Sequence, residues 1–92
     1  MGSGFYEIEF TEKAIEHLRF WHKSGQKSIL AKIEQLVESI RETPTTGISK
    51  PELLKHELVG KYSQRINQEH RIIYQIDDSL VTIPSLKGHY ES

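Results

Sequence analysis

The sequence contains no cysteine, which excludes a disulfide framework and any thiolate-held metal, and suits a reducing cytosol. No apolar run approaches the ~20 residues that a membrane-spanning helix needs, so the chain reads as soluble, cytoplasmic and without a membrane partner. Glycine-rich phosphate loops are missing, and so is the strained serine elbow of a nucleophilic triad. The histidines show no ligand spacing: His17 and His22 stand five apart, not the four that place two imidazoles on one helix face. No metal or other cofactor is expected. Aromatic residues are scarce at 9%. The opening Met1-Gly2-Ser3-Gly4 has neither the basic flank nor the apolar stretch of a signal peptide and reads as an appended tail, leaving residues 5 to 90 as one domain of modest core.

Net charge is only −1, yet its distribution is uneven. Between Gly47 and Gln75 five Lys/Arg face three Glu, whereas between Phe5 and Glu42 seven Glu face six Lys/Arg. Periodicity divides the chain in the same way. Tyr6, Ile8 and Phe10 alternate with Glu7 and Glu9 as in a half-buried strand. Thr11 is placed to cap a helix carrying Ala14, Ile15, Leu18 and Trp21 on one face, with Phe10 stapled to Ile15, and Ser24-Gly25 ends it. A second helix, from about Gln26 to Glu42, repeats apolar residues at Ile29, Leu30, Ile33, Leu36, Val37 and Ile40 and stops at Thr43-Pro44. After a polar connector to Pro51 come four strand candidates, Leu54 to Leu58, Lys61 to Ile66, His70 to Ile76 and Ser79 to Lys87, joined by turns too short for parallel crossovers. The expected fold is α+β: two N-terminal helices packed on one face of a twisted, mostly antiparallel sheet of four to five strands.

The loop Asn67-Gln68-Glu69 fixes a register. If Ile66 pairs with His70, then Arg65 stands opposite Arg71, on the face away from Ile72, Tyr74 and Ile76. Like charges directly across a ladder are destabilising by a few tenths of a kcal/mol or more, and a third, negative charge relieves them. Phosphate suits this role because the guanidinium fork matches its oxygens. The competing reading is a solvated face with Arg65 and Arg71 paired to Glu57 or Glu69.

If the anion is RNA, cleavage without metal needs a base for the 2′-hydroxyl proton, cations for the phosphorane-like transition state and an acid for the leaving oxygen. Glu52, Arg65, Arg71 and His89 supply these group types, with Glu52 and His89 both open to either proton-transfer role. Tyr90 can stack on a base. A catalytic His89 requires one phase shift, since alternation from Val81 and Ile83 carries it to the core side; Pro84 or Gly88 is the place for it.

The run "KPELLKHELVGKYSQRINQEHRIIY" with the closing "HY", preceded by "FW" and "TP", resembles the YoeB/Txe family of RelE-like toxins from about Tyr6 to Tyr90. The resemblance implies a RelE-like fold and a type II toxin: a metal-independent endoribonuclease that cleaves mRNA in the ribosomal A site and is silenced by a YefM-like antitoxin. Ribosome and mRNA would be its other partners, and a homodimer stays open. The family's catalytic groups fall on Glu52, Arg65, Arg71, His89 and Tyr90, and its "LKH" on Lys55 and His56, which with Lys50 and Lys87 make the expected phosphate-binding set. Lys87 stands where many members carry Arg, and Glu91-Ser92 follow Tyr90. Two other functions fit the architecture: a ParE-like inhibitor of DNA gyrase, which lacks the Glu/Arg/His constellation, and a noncatalytic RNA-binding module, which would need stacking aromatics where this chain offers Tyr62 and Tyr90.

Overall fold

The computed structural model describes residues 5–46, 51–54 and 60–88. Strand β1 (Glu7–Phe10) leads into helix α1 (Glu12–Lys23), helix α2 (Lys27–Glu42) and then strands β2 (Glu52–Leu53), β3 (Lys61–Arg65), β4 (Arg71–Asp77) and β5 (Leu80–Ser85). The five strands form one mixed sheet in the order β1-β5-β4-β3-β2. Only β1 and β5 are parallel; the other neighbours are antiparallel. The two helices intervene between β1 and the rest, which is the long connection that lets β1 lie parallel to β5.

Thr11 performs two tasks at the β1–α1 junction. Its Oγ1 accepts the Ala14 N–H at 3.2 Å as an N-cap and donates to the Pro84 carbonyl at 3.3 Å, so the start of the helix is tied to β5. Ala14 and Trp21 are buried on α1, and Ile29, Ile33, Leu36, Val37 and Ile40 form the buried stripe of α2. They close over Ile72, Tyr74, Val81, Ile83 and Leu86 of the sheet half in one core. Gly25, at φ 69°, ends α1 in the left-handed conformation that costs glycine little.

Two expectations change. Ile15 is 38% exposed: one step past Ala14 it rotates about 100° around the helix, out of the stripe that Ala14 and Trp21 bury, so the core face of α1 is narrower than its sequence suggests. The strand expected at Leu54 to Leu58 begins earlier, as the edge strand Glu52–Leu53, with Leu54 continuing the pairing by donating its N–H to the Lys61 carbonyl at 2.8 Å. Pro51, missing an N–H, is tolerated just before an edge strand. Residues 55–58 of that expectation lie outside the described ones.

A buried network ties the sheet to the end of α2. The Tyr74 hydroxyl donates to the Pro44 carbonyl at 2.6 Å and accepts from Gln64 Nε2 at 3.0 Å. Burial pushes the phenol up to about 12, against the opposing Gln64 hydrogen bond, so it stays a donor. Tyr74→Phe leaves two buried polar groups without their partner and should lower unfolding stability by about 1–3 kcal/mol, read from urea denaturation. An unchanged midpoint would show that the network contributes nothing net.

Candidate functional site

The site is built from the β3–β4 hairpin and the adjacent edge strand. Asn67 Oδ1 accepts the N–H groups of both Glu69 and His70 at 2.8 Å, an Asx-type turn that closes the loop. The Ile66 N–H bonds the His70 carbonyl at 2.8 Å, and Arg65 pairs with Arg71 across the ladder, as the loop length predicts. On the other side of β3, Glu52 pairs with Ser63. Directly paired residues share a face, so Glu52, Ser63, Arg65 and Arg71 all lie on the one opposite the helices.

There the Arg71 guanidinium donates through Nη1 to Glu52 Oε1 at 3.3 Å and to Ser63 Oγ at 3.4 Å. The Arg71 side chain is 22% exposed and that of Glu52 61%, so the pair opens to solvent on the carboxylate side. Among the described residues, neither arginine pairs with Glu69, one of the two carboxylates a purely solvated face would offer. Glu69 lies instead 3.8 Å from His70 Nε2, and Glu57 is outside the described residues. Among the described residues no carboxylate pairs with Arg65. Among the described residues of this site, then, one carboxylate sits with two guanidiniums, a positive balance.

Of the other candidates, Lys50, Lys55, His56, His89 and Tyr90 lie outside the described residues. Lys87 Nζ sits 4.7 Å above the Phe20 ring of α1, a cation–π contact, and no contact among the described residues joins it to the Arg71–Glu52 pair. Tyr62 stacks on Tyr74 with ring centroids 5.8 Å apart, on the helix side of the sheet, which removes it as a base-stacking platform on the basic face.

The approach to His89 is described in detail, and it contains the phase shift. Between the pairs Gln75–Thr82 and Ile73–Ser85, β5 places Ile83 and Pro84 against Tyr74 alone, a β-bulge. Ile83 and Leu86, three apart, are consequently both buried in the core. Beyond the bulge, Leu86 and Gly88 are held by side chains that sequence reasoning passed over. His17 Nδ1 accepts the Leu86 N–H at 3.0 Å, Trp21 Nε1 donates to the Leu86 carbonyl at 3.1 Å, and His70 Nδ1 accepts the Gly88 N–H at 2.9 Å. The Arg71 N–H then bonds the Gly88 carbonyl at 2.8 Å. Gly88 stands at φ 82°, where an L side chain would be strained. Ser63 was likewise missed; a buried hydroxyl between two basic strands becomes visible as a site group only once Arg71 is seen to reach it.

A family model described as the YoeB-like toxin of the bacterial type II toxin–antitoxin system matches residues 10–90. The chain belongs to this family of toxins. Toxin YoeB of Synechocystis sp. is 41% identical over 85 residues, 92% of this chain and 98% of that protein. Among solved structures, the YoeB/ParE toxin from Agrobacterium tumefaciens superposes with a TM-score of 0.85 at 29% identity, covering 91% of this toxin and 99% of that chain. YoeB from Staphylococcus aureus superposes at 0.80 with 41% identity, covering 92% and 98%; it has been solved in a heterotetrameric YoeB–YefM toxin–antitoxin complex and as a YoeB dimer. The two helices on a five-stranded sheet are thus the fold of YoeB-type toxins. No helix among the described residues is long and apolar enough to cross a membrane.

Proposed function

We propose that this type II toxin is a metal-independent endoribonuclease that cuts mRNA in the ribosomal A site. The observation that carries the reading is the Arg71–Glu52 pair at 3.3 Å beside Arg65: three strands bring one carboxylate and two guanidiniums onto the face the helices leave uncovered. In the reaction the 2′-oxygen attacks phosphorus and the P–O5′ bond breaks, leaving a 2′,3′-cyclic phosphate and a 5′-hydroxyl. Glu52 takes the 2′-hydroxyl proton, Arg65 and Arg71 stabilise the charge gathering on the phosphoryl oxygens, and His89 protonates the departing 5′-oxygen. The imidazole fits the acid role because its ordinary pKa lies near ~6.5 and it can carry a proton close to neutral pH. Tyr90 stacks on a base beside the cut, while Lys50, Lys55, His56 and Lys87 contribute to the electrostatic attraction of the messenger.

The gyrase-inhibitor alternative gives no role to the Glu52–Arg71 pair, and the plain RNA-binding module loses Tyr62 as a stacking group. The positive balance of the site also defines its silencing partner: a YefM-like antitoxin whose disordered segment folds over Arg65 and Arg71 with acidic and apolar side chains. Cytoplasmic action, where ribosomes and messenger reside, follows from the same reading.

The test is cleavage of a defined messenger on programmed ribosomes, with cuts mapped to the A-site codon and suppressed by added antitoxin. Cleavage should persist in excess EDTA apart from any loss traced to ribosome integrity, and any cleavage of ribosome-free RNA should be as fast in EDTA as in Mg²⁺. Activity that disappears in EDTA and returns with one divalent ion would overturn the metal-free chemistry, and messenger left intact on ribosomes would overturn the nuclease reading altogether.

A further inference from the structure

The bonds that hold Leu86 and Gly88 constrain protonation. A backbone N–H can only donate, so each imidazole nitrogen that receives one must be without a proton. His17 Nδ1 receives the Leu86 N–H and His70 Nδ1 the Gly88 N–H. Protonating either nitrogen sets donor against donor and removes the bond. Trp21 links the two imidazoles: its indole donates to the Leu86 carbonyl, and its ring meets that of His70 edge-on with centroids 4.7 Å apart. The residue that follows Gly88 is His89.

We propose that His17 and His70 are positioning residues, whose unprotonated Nδ1 atoms clamp Leu86 and Gly88 and so fix the segment leading into His89 relative to the Arg71–Glu52 pair, the clamp opening when the imidazoles are protonated. The proposal rests on the nuclease reading for its consequence, but the clamp itself does not need it. His17 faces Lys13 and Glu16 on its own helix and Lys87 from beyond β5; burial first, then the two lysines, lower its pKa from 6.5, with Glu16 opposing. His70 faces the Trp21 ring, and its Nε2 lies 3.8 Å from Glu69 Oε1.

The folded-state pKa of His17 is below the unfolded one, so the clamp's contribution is complete above about pH 6.5 and is lost as pH falls below that value toward the lowered folded one. This is an acid-side release of the Leu86–Gly88 segment that does not involve unfolding of the sheet.

The experiment uses the full chain labelled with ¹⁵N, following amide-exchange protection factors at Leu86 and Gly88 from pH 7.5 to 5.0, with the Tyr74 amide in β4 as control. Local opening should lower protection at Leu86 and Gly88 by about tenfold or more across this range while Tyr74 is unchanged. His17→Asn and His70→Asn place an amide oxygen where Nδ1 stood, able to accept but not to titrate, and should hold protection flat. His17→Phe should lose it at every pH. In single-turnover cleavage His17→Phe should lower the rate about tenfold with RNA affinity unchanged, and His17→Asn should restore it. Protection at Leu86 and Gly88 that ignores pH in the wild type overturns the clamp, and a wild-type cleavage rate in His17→Phe overturns its positioning role. Protection that follows the imidazoles in a chain that cuts no messenger supports the clamp and overturns the nuclease reading.

Discussion

Glu52→Gln and His89→Gln should each slow single-turnover cleavage of messenger on programmed ribosomes by about 10²–10⁴-fold, the usual contribution of one general acid or base. Both substitutions preserve size and polarity. Glutamine at position 52 can still accept from Arg71 Nη1, now 3.3 Å from the carboxylate, so the arginine keeps a partner and the fold should be unaffected. What changes is the capacity to take a proton. Equilibrium binding of RNA should be nearly unchanged for His89→Gln, whereas Glu52→Gln should bind as well or more tightly, because a negative charge beside the phosphate has been removed. The separation of rate from affinity is the diagnostic feature. If both variants cut at the wild-type rate, the proton-transfer assignment is wrong, and gyrase inhibition or noncatalytic RNA binding becomes the better account.

Local rules carried the fold a long way. The opposition of Arg65 and Arg71 follows from one loop, because a tight hairpin leaves few registers and each residue's face is then fixed by alternation. The stripe of α2 and the Thr11 cap were legible for the same reason: each depends on neighbours within a turn or two. A phase shift at Pro84 or Gly88, needed if His89 is catalytic, was also expected, and a bulge does occur at Ile83-Pro84, where a residue without an N–H cannot complete a regular ladder. Contacts joining residues far apart in sequence were not legible. His17 and Leu86 are 69 positions apart and His70 and Gly88 are 18 apart; spacing arguments could only ask whether these histidines were metal ligands. Ile15 illustrates the converse limit. Hydrophobicity placed it in the core stripe, but the width of the buried face is decided by how closely α1 approaches the sheet. Lys87 was expected in the phosphate-binding set because it stands where many family members carry Arg, and its cation–π contact with Phe20, a ring whose position only the packing of α1 reveals, was not legible.

Removing Arg71 should lower both the chemical step and RNA affinity, because it serves the site in three ways. Its guanidinium is 3.3 Å from the Glu52 carboxylate and 3.4 Å from the Ser63 hydroxyl, and its backbone N–H holds the Gly88 carbonyl at 2.8 Å. Arg71→Ala leaves the backbone bond in place and removes the other two contacts together with the charge proposed to face the scissile phosphate. The chemical step should fall by at least about 10²–10³-fold, the loss seen when one donor to a developing oxyanion is deleted. Affinity for RNA should fall as well, with a salt slope shallower by about one phosphate contact. Arg71→Lys separates these effects: it restores the charge, and with it most of the slope, but not the planar fork that grips two oxygens while touching Glu52, so binding should recover further than rate. Arg65 provides the internal comparison. It stands directly opposite on the exposed side of the hairpin, and no carboxylate among the described residues holds it in place. Arg65→Ala should therefore reduce affinity and slope by similar amounts while costing the chemical step less than Arg71→Ala does. The measurement is single-turnover cleavage alongside RNA binding at several salt concentrations for all three variants. Equal losses of rate at positions 65 and 71 would mean that contact with Glu52 does not distinguish the two arginines, and that the site uses them only as charge.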